Sequence, residues 1–115
     1  MIVGTGTDII EVERIRKSLD LHGEAFKERV YTDEEIRESA LRKDPSVYFA
    51  GRWAAKEALS KALGCGISAK CGWRDINVSN GEGGRPSLTL SGKALETADA
   101  RSEEHTSELQ SPNTI

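Results

Sequence analysis

The chain has only two cysteines, three prolines and one methionine in 115 residues, and its aromatics are limited to two each of Trp, Tyr and Phe. Cys65 and Cys71, in CGISAKC, lack CxxC spacing and neighbouring histidines. That argues against a zinc site and for a reduced pair in a reducing compartment. No apolar run reaches the length of a membrane-spanning helix. Nor does a basic segment followed by a long apolar stretch open the chain, so the expected compartment is the cytoplasm and no membrane partner is expected. Excess positive charge is also missing: 16 Lys and Arg face 19 Asp and Glu, a net −3 that argues against a sequence-independent nucleic-acid binder.

What is present is 37% hydrophobic and 30% charged residue content, suited to one small domain with a modest core that gains from oligomerisation. Residues 2–9 have strand length and β-branched content. Ile2, Gly4, Gly6 and Asp8 share one face; Val3, Thr5, Thr7 and Ile9 share the other. From Glu11 the period turns helical, with Val12, Ile15 and Leu19 on one side and Arg14, Arg16 and Lys17 on polar faces. His22-Gly23 predicts the end of this helix.

Thr32-Asp33-Glu34-Glu35 fits a capping box that opens a short polar helix to about Lys43. Asp44 as N-cap and Pro45 at the first helical position then start VYFAGRWAAKEALSKALG, which stops at Gly64. Its apolar residues surround almost the whole circumference, the pattern of a buried central helix. WRDINVSN reads as a strand, NGEGGRP as a turn, SLTL as the hairpin partner and SGKALETADA as a last amphipathic helix. The tail RSEEHTSELQSPNTI has only Leu109 and Ile115 as sizeable apolar residues, too few to repay the entropy of ordering. It resembles a vector- or adaptor-derived reading frame, so the domain is expected to span residues 1–100, with 101–115 outside it.

On the long helix Glu57 and Lys61 stand one turn apart among Ala50 and Ala54, with Trp53 at one edge. Such a pair is either an ordinary i,i+4 staple or an acid and a base left beside space for a ligand. The apolar surroundings keep the second reading open, because burying ions without a partner is costly. Asp8 has two readings as well: an N-cap in Asp8-Ile9-Ile10-Glu11, or a carboxylate beside the notch left by Gly4 and Gly6. Two carboxylates near a cation fit Mg²⁺, which prefers oxygen ligands and is completed by water and substrate phosphate. Lys61 would neutralise phosphate charge as a compact ammonium. This chemistry is of the phosphoryl-transfer type, and spacing alone names no single reaction.

GTDIIEVERI, FKERVYTDEE, FAGRWAAKEALSKALG and GRPSLTLSG, in that order, resemble the small holo-acyl-carrier-protein synthases, the phosphopantetheinyl transferases of bacterial fatty acid synthesis. The likeness runs from Met1 to about Ala100. It implies an α+β fold, a small antiparallel sheet packed on a long buried helix, assembled as a homotrimer with the site between neighbouring subunits. It further implies that Asp8 and Glu57 bind Mg²⁺ with the coenzyme A pyrophosphate, and that Lys61 contacts phosphate and supports the leaving group. Transfer would run from coenzyme A to a serine of acyl carrier protein, with Glu57 or a water it orients as proton acceptor, releasing adenosine 3′,5′-bisphosphate. Arg52, Gly84, Arg85 and Pro86 match positions near the nucleotide, although Gly-Arg-Pro is also plain turn chemistry.

Arg14 and Lys17, at i,i+3 on the first helix, match the face that receives the acidic carrier, and charge complementarity would speed that encounter. A solvated helix face is the simpler explanation of the same pair. The family's last strand, with its S-H segment, has no counterpart here: His105 in EEHTSE lacks the apolar flanks of a strand. The alternative function is therefore a truncated, non-catalytic module that keeps a coenzyme A or carrier-protein surface.

Overall fold

The computed structural model describes residues 9–104. Most of the expected first strand, Asp8 included, lies outside the described residues, as does His105. Helix α1 runs Ile9–Val30, so Ile9 is helical rather than the end of a strand. The expected stop at His22-Gly23 is instead a kink, with Gly23 at φ 51°, ψ −125° and the helix continuing beyond it. The reason is the core: Phe26 and Val30, past the kink, bury into the same cluster as Ile15. Glycine supplies the positive φ that re-aims the helix without ending it.

Helix α2 spans Asp33–Ser39 and α3 spans Pro45–Ala62. Both start as the sequence implies. Thr32 Oγ1 accepts from Glu35 N while Glu35 Oε1 accepts from Thr32 N, and Asp44 Oδ1 accepts from Ser46 N ahead of Pro45. At the other end of α3, Gly64 takes φ +87°, the left-handed geometry that terminates a helix.

Strands β1 (Ile76–Asn80) and β2 (Pro86–Leu90) form an antiparallel pair with Ile76 opposite Leu90 and Val78 opposite Leu88. The expected strand began at Trp73, yet Trp73–Asp75 is a 3-10 turn. Asp75 is held locally: its carboxylate accepts from Gly72 N at 3.1 Å and from Ala94 N at 3.2 Å, so it joins the turn to the start of the last helix. Helix α4 spans Gly92–Glu104, four residues past the predicted segment, and Arg101 donates to the Leu63 carbonyl.

Two apolar clusters make up the interior. One gathers Ile15, Phe26, Val30, Tyr31, Tyr48 and Phe49 from α1, the residue just after it and the start of α3. The other gathers Ala55, Leu63, Ile76, Val78, Ala94 and Ala98 from the end of α3, the hairpin and α4. Helix α3 belongs to both, and its residues therefore set where the accessible faces of the molecule fall.

Candidate functional site

Helix α3 buries Tyr48, Phe49, Ala50, Arg52, Ala55, Lys56 and Ser60, but it is not covered all round. Ala58, Lys61 and Ala62 are exposed, and Ala54 and Glu57 are half-buried. The short alanines leave an open arc, and Glu57 sits at its border with Lys61 one turn further on. Among the described residues no ion pair or hydrogen bond joins the Glu57 and Lys61 side chains to each other or to anything else, which removes the simple staple as their explanation. Among the described residues there is also no group of three or more His, Cys, Asp or Glu side chains. A half-buried carboxylate without a partner suits Mg²⁺, which takes one or two protein carboxylates and completes its shell with water and phosphate. Asp8, the second expected ligand, lies outside the described residues.

Arg52 occupies a different face of the same helix. Five residues separate it from Glu57, a rotation of about 140° around the axis. Its side chain is 9% exposed, Nη2 donates to Asn80 Oδ1 at 3.3 Å, and Cζ stands 4.4 Å above the Tyr48 ring. The Nε group is buried without a hydrogen-bond partner. Arg42 also approaches the Tyr48 ring, with Cζ at 5.0 Å. Burial raises the Tyr48 phenol pKa, against the lowering influence of Arg52. Asn80 ends β1, where the turn to Gly84, Arg85 and Pro86 begins. Gly84 has φ +78°, a conformation glycine adopts at no steric cost, and Arg85 and Pro86 are exposed. The structure thus ties Arg52 to the base of this turn, on a face of α3 turned away from Glu57.

On α1, Arg14 and Lys17 are exposed, with Arg14 Nη1 at 3.4 Å from Glu11 Oε1. Ile10 and Leu21, 72% and 77% exposed, extend the same helix face on either side of the two cations.

One buried ion pair escaped the sequence analysis. Lys56 Nζ lies 2.7 Å from Glu35 Oε1 and donates to the carbonyls of Val30 at 2.8 Å and Trp73 at 3.0 Å. Glu35 Oε2 accepts from Val78 N at 2.7 Å. Both side chains are fully buried. Burial pulls the Lys56 pKa down, and the Glu35 carboxylate opposes that pull. The available signal was a lysine in an otherwise apolar stretch of α3, next to Glu57, which demands a partner.

The α+β scaffold presents an acid and a lysine on its central helix, and sequence comparison supplies the class of protein. The profile of the 4′-phosphopantetheinyl transferase superfamily matches residues 4–112, and the chain belongs to that superfamily of enzymes. Within it, the chain is similar to holo-acyl-carrier-protein synthases. That of Vibrio atlanticus is 50% identical over 99 residues, covering 86% of this chain and 79% of that protein. The crystal structure of the Neisseria meningitidis synthase superposes with a TM-score of 0.72 at 31% identity, over 78% of this chain and 72% of that one. The Bacillus anthracis synthase, solved in complex with coenzyme A (3′,5′-ADP), has a TM-score of 0.61 at 39% identity over 74% and 72% of the respective chains.

Proposed function

We propose that this chain transfers the 4′-phosphopantetheine group of coenzyme A to a serine hydroxyl of an acyl carrier protein, in a Mg²⁺-dependent reaction that releases adenosine 3′,5′-bisphosphate. The observation that carries this reading is the unpartnered Glu57 and Lys61 on the accessible arc of α3. It is supported by the names of the relatives and by the ligand of the Bacillus anthracis structure.

In the reaction the serine oxygen forms a bond to the β-phosphorus, and the bond from that phosphorus to the bridging pyrophosphate oxygen breaks. The bridging oxygen leaves with adenosine 3′,5′-bisphosphate. Glu57, or a water it orients, takes the serine proton. Lys61 offsets the charge that builds on the leaving phosphate. Asp8 and Glu57 are the proposed metal ligands, and Mg²⁺ when bound supplies a compact positive charge against the phosphate oxygens. Arg52, Gly84, Arg85 and Pro86 are assigned to the nucleotide end of coenzyme A, and the buried, unpartnered Arg52 Nε favours an anion nearby.

The separation of Arg52 from Glu57 around α3 favours a site shared between neighbouring subunits of a homotrimer. There the Arg52 face of one copy would meet the Glu57 face of the next. Exposed Ile9, at 80%, supplies apolar surface for such an assembly. Arg14 and Lys17 are assigned to the acidic carrier protein. The expected setting is cytoplasmic fatty acid synthesis, with residues 1–100 as the working domain.

Incubation of apo carrier protein with coenzyme A, Mg²⁺ and this protein, followed by intact-mass spectrometry, tests the proposal. The carrier should gain one phosphopantetheine. Binding of coenzyme A and carrier without any mass gain would leave the non-catalytic module standing instead.

A further inference from the structure

The Glu35–Lys56 pair does more than fill the interior. We propose that it is the positioning device for Glu57, an inference that rests on the reading of Glu57 as a group at the transfer site. Lys56 precedes Glu57 on α3, so the direction of one fixes the direction of the other, about 100° away around the axis. All three ammonium hydrogens of Lys56 have acceptors: Glu35 Oε1 at 2.7 Å, Val30 O at 2.8 Å and Trp73 O at 3.0 Å. Those acceptors come from α2, the end of α1 and the turn before β1. Glu35 extends the set to Thr32 N at 2.9 Å and, in β1, to Val78 N at 2.7 Å. A single ammonium therefore references the rotation of α3 to α1, α2, β1 and the turn before it.

Apolar side chains of similar volume would fill this space without the desolvation cost of two buried ions. They would not fix an angle, because dispersion contacts carry little direction, whereas three hydrogen bonds from one nitrogen do. A stacked tryptophan pair is tied to the same contact. The carbonyl of Trp73 is bound to Lys56, and its ring stacks on Trp53 with centroids 4.2 Å apart. Trp53 stands one turn before Glu57 on α3. Displacing Lys56 shifts the acid and the tryptophan pair together.

Three variants of the full chain, Lys56→Met, Glu35→Ala and Glu35→Gln, test this, each assayed well below its melting midpoint with the parent alongside. Lys56→Met and Glu35→Ala should lose about tenfold or more in kcat, with KM for the carrier within about twofold, and should shift tryptophan emission. Glu35→Gln keeps the oxygen that accepts from Lys56 and Thr32 N but turns an amide NH₂ toward Val78 N, donor against donor where the carboxylate accepted at 2.7 Å, so it should lower kcat and shift the emission in the same direction as Glu35→Ala. A folded Lys56→Met or Glu35→Ala with parental kcat overturns the proposal. So does a loss restored by an osmolyte that only raises the melting midpoint. If both of those variants fail to fold, Glu35→Gln decides: a fall in kcat together with shifted emission supports the proposal, whereas parental kcat, or a fall in kcat with unchanged emission, overturns it. An inactive parent would instead sink the transfer reading itself.

Discussion

Lys56 Nζ and Glu35 Oε1 meet at 2.7 Å with neither side chain open to solvent, the only fully buried ion pair among the described residues. Removing one partner leaves the other charged and uncompensated. Lys56→Met should therefore cost about 3–5 kcal/mol of folding free energy, a large share of the ~5–15 kcal/mol typical of a single domain. Lys93→Ala breaks a pair in which both side chains are more than two-thirds exposed, at 68% and 69%. It should cost no more than ~1 kcal/mol. Urea denaturation of the two variants checks the contrast, and equal losses would contradict it.

Arg52→Lys should raise KM for coenzyme A by about tenfold while leaving KM for the carrier unchanged. A lysine cannot both stack on Tyr48 as a planar group and donate sideways to Asn80, the two contacts Arg52 makes at 4.4 Å and 3.3 Å. Steady-state kinetics with each substrate varied in turn reads this out. A change confined to the carrier would reassign the residue.

Arg14→Ala should slow carrier association several-fold at low salt, and the difference from the parent should shrink as ionic strength rises. The side chain is 65% exposed and its 3.4 Å pair with Glu11 is a surface contact, so the melting midpoint should barely move. Stopped-flow association at two salt concentrations is the check. A salt-independent defect would point to lost packing instead of lost charge.

Burial, with help from the neighbouring Cys65, pushes the Cys71 thiol up to about 11. The unfolded thiol titrates near 9, so between pH 9 and 11 the folded state holds the extra proton. Stability present below pH 9 is then lost as pH rises through that window. Melting midpoints should fall more steeply there in the parent than in Cys71→Ala. Native-state alkylation should mark half-buried Cys65 well before buried Cys71.

Features set by neighbouring residues were legible in the sequence. The Thr32–Glu35 capping box, the Asp44-Pro45 start of α3, its end at Gly64 and the hairpin through SLTL all depend on contacts or backbone preferences within a few positions. Gly23 misled because its positive φ marks a kink as readily as a stop. Only the burial of Phe26 and Val30 with Ile15 decides between them. Trp73–Asp75 misled because Asp75 is claimed by Ala94, 19 positions on. The partners of Lys56 were unreadable for the same reason, since its acceptors come from three separate segments of the chain. Glu57 and Lys61 were found by their spacing on one helix face. Their lack of partners among the described residues is a tertiary fact; it sets aside the staple, and the site is what we propose in its place.

The measurement that reaches furthest is the initial rate of phosphopantetheine addition to apo carrier protein, by intact mass, for the parent and for Glu57→Gln at saturating Mg²⁺ and coenzyme A. Glu57→Gln should fold with a parental melting midpoint, since the carboxylate has no partner among the described residues to lose, and should transfer at least ~100-fold more slowly. A folded Glu57→Gln that modifies the carrier at the parental rate would contradict the assignment of this site.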